Sequence, residues 1–201
     1  MNPRSAYFDA IADKWDGWDD LVLLAKRMAA GLAHFGVKPH ETIVDIGCGT
    51  GNLTSALLTA LGEAGKVVAV DISPRMIEVA RGKIRDARVT WHVGTAESLP
   101  VGDSSVDRIV CFSVWPHLVD HQSTLAEFAR VLRPGGLLHI WHLISRHKVN
   151  EIHGSAGEAV RGDHLHPAVE TAATLTAEGY QVHEAVEDAE HYLLTASKPS
   201  G

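Results

Sequence analysis

The sequence is short of several things, and each shortage closes off a class of protein. Only two cysteines, Cys48 and Cys111, occur in 201 residues. They make no Cys-x-x-Cys pair, which leaves out a disulfide scaffold and a thiolate metal site. No run approaches the roughly 18 apolar residues that span a bilayer, so a membrane is not an expected partner. The opening residues alternate polar and aromatic side chains and lack the apolar segment of an export signal. With so few cysteines, the expected compartment is the reducing cytoplasm. Positive charge is also scarce: 18 Lys and Arg stand against 25 Asp and Glu, for a formal charge of −7. Such a surface repels phosphate backbones, so nucleic acid is not an expected partner. No repeat, low-complexity block or Pro/Gly/Ser linker divides the chain, and one domain over 1–201 is expected.

What is present is ordinary globular material, 45% hydrophobic and 21% charged. A chain of this length buries enough surface to fold without a metal or disulfide staple. The unusual component is histidine, 13 in all, of which ten follow Trp115.

Periodicity gives the architecture. Apolar residues at helical spacing run over 18–35, followed by a short apolar strand at 42–46 and a helix at 53–61. A strand at 66–71 precedes a helix from Pro74 to Arg85, with Ser73 as N-cap and Pro74 at the first helical position. Strands follow at 89–93 and 106–112, then a helix at 121–131 closed by Arg133-Pro-Gly-Gly136 and a strand at 137–144. An irregular stretch is expected over 145–167, then a helix at 168–178 and an antiparallel pair, 180–184 and 191–197, with a long connection. Strands alternating with helices predict an α/β fold around a largely parallel sheet.

In such sheets ligands bind at the carboxyl ends of the strands. The first strand runs into Asp45-Ile-Gly47-Cys-Gly49-Thr-Gly51, where glycines let the backbone turn sharply and approach a ligand. The second ends in Asp71, 20 residues beyond Gly51, where a carboxylate can accept from two ribose hydroxyls. Two chemistries share this pattern. A dinucleotide loop wants Gly or Ala where Asn52 stands, and the anion Asp45 disfavours a pyrophosphate while suiting an ammonium or sulfonium. An NAD-dependent oxidoreductase is therefore the weaker alternative.

The chain resembles the class I S-adenosylmethionine-dependent methyltransferases, and among them the ubiquinone/menaquinone-biosynthesis type that acts on small molecules. The resemblance is carried by Val44-Asp-Ile-Gly-Cys-Gly-Thr-Gly-Asn52, Val70-Asp-Ile-Ser-Pro-Arg-Met76, Gly94-Thr-Ala-Glu-Ser-Leu-Pro100 and Arg130-Val-Leu-Arg-Pro-Gly-Gly136. The segment Tyr7 to Asp16 is similar to the family's N-terminal cap, here 1–35. The resemblance implies a Rossmann-like fold with a seven-stranded, mostly parallel sheet and helices on both faces. It implies S-adenosylmethionine as cofactor, a small-molecule acceptor, and a monomer or homodimer. On residues, it implies a methionine moiety wrapped by Gly47, Cys48, Gly49, Gly51 and Asn52 with Asp45 beneath, and a ribose on Asp71. Ile72 and Met76 would line the adenine side, Phe112 would close the pocket, and Thr95, Ala96 and Glu97 would read the adenine edge. Thr95 stands where similar proteins often carry Asp, which keeps a non-catalytic S-adenosylmethionine or metal sensor in view.

Methyl transfer needs mainly alignment, plus a base where the acceptor arrives protonated. His117, after the fourth strand, and His142, near the end of the fifth, are the candidates. His139 is three residues from His142 and faces the other side, as a core residue. The stretch 145–167 forms a His-rich lid, in which Asn150 and His153 share a face if the chain there is helical. Its imidazoles and carboxylate admit two readings: hydrogen-bonding lid contacts, or a divalent metal held by His142, His153, Asp163 and His166. Arg146 and Arg161 are candidates for holding an anionic acceptor.

Overall fold

The computed structural model describes residues 2–198. Seven strands form one sheet in the order β3-β2-β1-β4-β5-β7-β6, parallel except for β7, and flanked by helices. This is the expected α/β class. The chain divides into two compact units, residues 1–95 and 96–201.

In the first unit, α1 (Pro3–Ile11) leads through a 3-10 segment (Ala12–Trp18) into α2 (Leu21–His34). The helix expected from Trp18 therefore starts three residues later. Asp20 is its N-cap, accepting from the Val22 and Leu23 amides at 3.0 and 3.1 Å. Then come β1 (Thr42–Ile46), α3 (Asn52–Ala60), β2 (Lys66–Asp71), α4 (Pro74–Lys83) and β3 (Val89–Val93). β1 and β2 pair in parallel, and Ile43, Val44, Val67, Ala69 and Val70 are all buried. Their near-continuous apolar runs suit strands covered on both faces. Ser73 caps α4 as expected, accepting from the Met76 amide at 3.0 Å.

The second unit holds β4 (Val106–Phe112), a 3-10 turn (Trp115–His117), α5 (His121–Val131) and β5 (Leu132–His142). β5 starts five residues before the expected strand, because Leu132 pairs with Val106 and the register then shifts. Gly135 donates to the Lys198 carbonyl and Lys198 to that of Gly136, so the Pro-Gly-Gly segment runs in the ladder instead of ending it. The stretch expected to be irregular is instead α6 (Arg146–Ser155) and α7 (Glu158–Arg161). Ser145 starts α6, accepting from the Lys148 amide at 3.2 Å. After α8 (Ala168–Ala177), β6 (Gln181–Glu187) and β7 (Tyr192–Ser197) form the antiparallel pair. Their connection is short. Asp188 accepts from the Glu190 and His191 amides at 2.7 and 2.8 Å and makes a tight turn.

Candidate functional site

The first unit builds a glycine cradle. Gly47, Gly49 and Gly51 have φ of 64°, 53° and 87°, backbone that favours glycine. At Gly51 a Cβ would meet Ala80 Cβ on α4 at 3.2 Å and Ile84 Cδ1 just beyond it at 2.9 Å, whereas at Gly49 it would meet nothing within 4 Å. One glycine thus lets the loop sit down on α4, and the other leaves open space beside the backbone. Asp71, at the end of β2, holds this shape. Its Oδ2 accepts from the Gly49 amide and its Oδ1 from the Ser73 amide, both at 2.8 Å.

Asp45 is 1% exposed. Its Oδ2 accepts from the Thr54 hydroxyl at 2.6 Å, and its Oδ1 is buried with no hydrogen-bond partner among the described residues. Burial, with the Asp71 charge adding to it, pushes the Asp45 carboxyl up to about 7. A buried acceptor without a donor is costly unless a ligand completes it. An ammonium or sulfonium supplies that complement, and the open space at Gly49 admits a chain beside the loop. The residues therefore fit S-adenosylmethionine. Cys48 is buried in the same loop, and burial beside Asp45 and Asp71 pushes its thiol up, so it is an unreactive packing group. Ile72 is half-buried, Met76 is buried in α4, and Thr95 is exposed.

The N-terminal segment contributes residues that the sequence reading passed over. Asp9 accepts from the Ser73 hydroxyl at 2.6 Å and the Arg75 amide at 3.0 Å, at the start of α4. Asp13 pairs with Arg75 at 2.6 Å. Asp16 accepts from the Thr50 hydroxyl at 2.6 Å and the Asn52 amide group at 3.0 Å, and pairs with Lys83 at 2.5 Å. Partial burial alone would raise Asp16, but the bonds from Lys83, Thr50 and Asn52 hold it below the usual carboxylate range. The available signal was the spacing of Asp9, Asp13 and Asp16, one acidic face of a helix.

The second unit carries Ala96, buried, and Glu97 and Phe112, both half-buried, with the Phe112 ring 4.9 Å from that of Trp141. It also gathers an imidazole cluster. His117, at the turn after β4, shares a proton between its Nδ1 and Asp163 Oδ2 at 2.7 Å. His153, on α6, bonds through Nδ1 to the Asp163 carbonyl at 2.9 Å, and its ring lies 4.7 Å from that of His117. His142, at the end of β5, is 2% exposed, and its buried Nε2 has no hydrogen-bond partner among the described residues. Burial, reinforced by His117 and His153, pushes His142 down to about 3, so it is neutral at physiological pH. His139 lies in the core, 2.5 Å from Arg108 and 3.0 Å from the Thr195 hydroxyl.

The metal expectation is corrected. Among the described residues no group of three or more His, Cys, Asp or Glu could hold a metal ion. His166 points away, 59% exposed and 3.4 Å from Glu170, and His153 Nδ1 is committed to a carbonyl. His142, His153, Asp163 and His166 are thus not a ligand set; His153 and Asp163 form a hydrogen-bonded cluster with His117 instead. The anion-holding role expected of Arg146 also goes elsewhere. Arg146 pairs with Glu187 at 3.2 Å, and Glu187 also accepts from the Ala168 amide at 2.9 Å.

A glycine cradle with a carboxylate at the end of each of two adjacent parallel strands defines a nucleoside-binding α/β protein. Residues 44–140 match a family described as "Methyltransferase domain". The ubiquinone/menaquinone biosynthesis C-methyltransferase UbiE of Vibrio cholerae is 35% identical over 140 residues, covering 65% of this chain and 53% of the relative. The Escherichia coli protein of the same name is 34% identical, covering 65% and 55%. The chain thus spans about half the length of these curated relatives. Among solved structures, a putative methyltransferase of Haloferax volcanii, in complex with the Trm112 methyltransferase activator, superposes with a TM-score of 0.78 at 24% identity. The match covers 96% of this chain and 97% of that one. A SAM-dependent methyltransferase from Aquifex aeolicus gives a TM-score of 0.77 at 24% identity, covering 94% and 97%. These likenesses support a class I S-adenosylmethionine-dependent methyltransferase. They lend nothing to the dinucleotide alternative. Among the described residues no helix is long and apolar enough to cross a membrane.

Proposed function

We propose that the protein methylates a small-molecule acceptor at a group that arrives carrying a proton. The observation that carries the reading is Asp45, a fully buried carboxylate with one oxygen bonded to Thr54 and the other lacking a donor, beneath the glycine loop. The relatives' printed activity, C-methylation in ubiquinone and menaquinone biosynthesis, supports a small acceptor. The family match crosses from the first unit into the second, which supports reading 1–201 as one methyltransferase domain. Two buried, unbridged thiols fit a reducing cytoplasm.

When bound, S-adenosylmethionine supplies an activated sulfonium methyl, which passes to the acceptor's electron pair and leaves S-adenosylhomocysteine. Asp71 would receive the ribose hydroxyls, Gly49 would give backbone room, and Asp45 would complement positive charge. His117 is the proton acceptor in this reading. His142 is too weak a base for that task, since burial holds its conjugate acid near 3. It would instead line the acceptor pocket as a neutral imidazole.

The test has two arms. Calorimetry should show S-adenosylhomocysteine binding to the wild type and not to Asp71→Ala. Methyl-labelled S-adenosylmethionine should then label at least one compound in a panel of phenols, enols and amines, with product lost in His117→Gln. No binding to the wild type would sink the cofactor assignment. Binding without transfer to any of the panel would turn the reading toward a non-catalytic sensor.

A further inference from the structure

We propose that Asp163 is a positioning residue: held in place by Asn150 and His153, it fixes His117 with the proton on Nδ1 and the lone pair on Nε2. The inference rests on the methyltransferase reading for the use made of that lone pair; the positioning itself stands on the second unit alone.

The argument starts from burial. The Asp163 and His117 side chains are 4% and 13% exposed, so a carboxylate and an imidazole meet at 2.7 Å almost out of water. A carboxylate accepts and does not donate, so the shared hydrogen belongs to the imidazole and is fixed on Nδ1. Free imidazole would interchange its two neutral forms; here the partner selects one. The nitrogen that remains basic, Nε2, is then oriented by a ring that cannot turn without breaking a charge-assisted bond.

The carboxylate is in turn held from α6. His153 bonds through Nδ1 to the Asp163 backbone carbonyl at 2.9 Å. Two residues further on, the Asn150 side chain clamps Leu165. Its Oδ1 accepts from the Leu165 amide at 2.8 Å, and its Nδ2 donates to the Leu165 carbonyl at 3.0 Å. Asn150 and His153 are three residues apart on one face of α6, so a single helix turn grips the segment on both sides of His164. Leu165 is itself buried, which anchors the strip against the unit's core. Groups set against His117 include Asp163, the His153 ring tilted at 44°, and the buried neutral His142. Only Asp163 among them is an anion able to stabilise an imidazolium after proton uptake. All of α6, α7 and Asp163 lie beyond residue 140, where the family match ends.

The test reads tautomer directly. Full-length protein carrying ¹⁵N-histidine is examined at about pH 8 by long-range proton–nitrogen correlation, with His117 assigned by loss of its signals in His117→Gln. In the wild type His117 should be the Nδ1–H form, and in Asp163→Ala it should pass to the Nε2–H form favoured in water. S-adenosylhomocysteine affinity should stay within about twofold, since the cradle is untouched. With an acceptor in hand, kcat should fall about tenfold to a hundredfold while KM for the donor holds. A wild type dominated by Nε2–H, or an Asp163→Ala spectrum unchanged from it, would overturn the proposal. Asp163→Leu, of similar size and likewise without an acceptor, is the second variant should alanine fail to fold; an unchanged His117 tautomer there overturns it equally. A tautomer shift with no methyl transfer by the wild type would leave the positioning standing and sink the enzymatic reading.

Discussion

Thr54 donates its hydroxyl to Asp45 at 2.6 Å inside the first unit, and among the described residues nothing donates to the other oxygen of that carboxylate. The Thr54 hydroxyl and amide together do not offset the desolvation of the charge, and the group is held up to about 7. The folded pKa lies above the unfolded 3.8, so this group's contribution to stability is full below about 4 and is lost as pH rises through about 7. Asp45→Asn removes the ionisation. At pH 8 the variant should melt higher than the wild type, by about 2–4 °C for each kcal/mol of penalty removed, and the difference should vanish near pH 4. S-adenosylhomocysteine should bind it more weakly in spite of the added stability. Differential scanning calorimetry at the two pH values checks the first claim, and titration calorimetry the second.

Asp71 organises the cradle as well as offering itself to a ribose. Asp71→Ala deletes two backbone bonds, to Gly49 and Ser73, each to a charged acceptor. Such bonds contribute about 1.5–3 kcal/mol apiece. S-adenosylhomocysteine affinity should therefore fall by at least a hundredfold, with Asp71→Asn intermediate because its amide oxygen keeps one bond. An affinity unchanged in Asp71→Ala would remove the cofactor from this loop.

Both the strand–helix alternation and the glycine loop were legible because they depend on local rules: apolar runs, a Ser-Pro helix start, glycines where φ is positive. Boundaries failed where tertiary pairing decided them. The Pro-Gly-Gly segment reads as a stop, yet Gly135 and Gly136 find partners in Lys198, more than 60 residues away. Residues 146–155 lack a clear apolar stripe, and their helix closes on Asp163 and Leu165 through the polar side chains of His153 and Asn150. The same polar residues suggested metal ligation, because spacing alone cannot tell an imidazole bonded to a carbonyl from one awaiting a cation. Asp9 and Asp16 went unread for a related reason. Their partners, Ser73, Thr50 and Asn52, become neighbours only after the first unit folds.

The glycines of the loop should separate stability from binding. Gly51 has φ of 87°, and a Cβ there would crowd Ala80 Cβ at 3.2 Å and Trp91 at 3.3 Å, while Gly49 has φ of 53° and open space. A non-glycine residue in left-handed backbone costs about 1–2 kcal/mol by itself. Gly49→Ala should thus cost about that much and weaken cofactor binding, because the new methyl enters the space the cofactor would use. Gly51→Ala should cost more, adding tight contacts with Ala80 and Trp91 to the backbone strain. Urea melts of both variants, with S-adenosylhomocysteine titrations beside them, separate the two effects; equal stability losses would refute the assignment of Gly51 to packing on α4.

The imidazole cluster predicts acid sensitivity with a particular residue at its centre. His142 is held down to about 3 by burial and by His117 and His153, against a usual value of 6.5. Its stabilising contribution is present above about 6.5 and drains away as pH falls toward 3, because the unfolded chain takes up the proton first. His153 is shifted the same way by burial, which the Asp163 carbonyl partly offsets. Replacing His142 by Leu removes a buried group that must be uncharged, and the Nε2 atom it deletes has no hydrogen bond to lose. His142→Leu should therefore match the wild type at pH 8 to within about 1 kcal/mol, as shape-conserving core exchanges do. At pH 4.5 it should be the more stable of the two, and the crossover should lie between the two pKa values. Urea denaturation followed from pH 4.5 to 8 measures it. A variant that loses stability equally at every pH would mean that His142 acts through packing alone, and that the acid sensitivity belongs to another group.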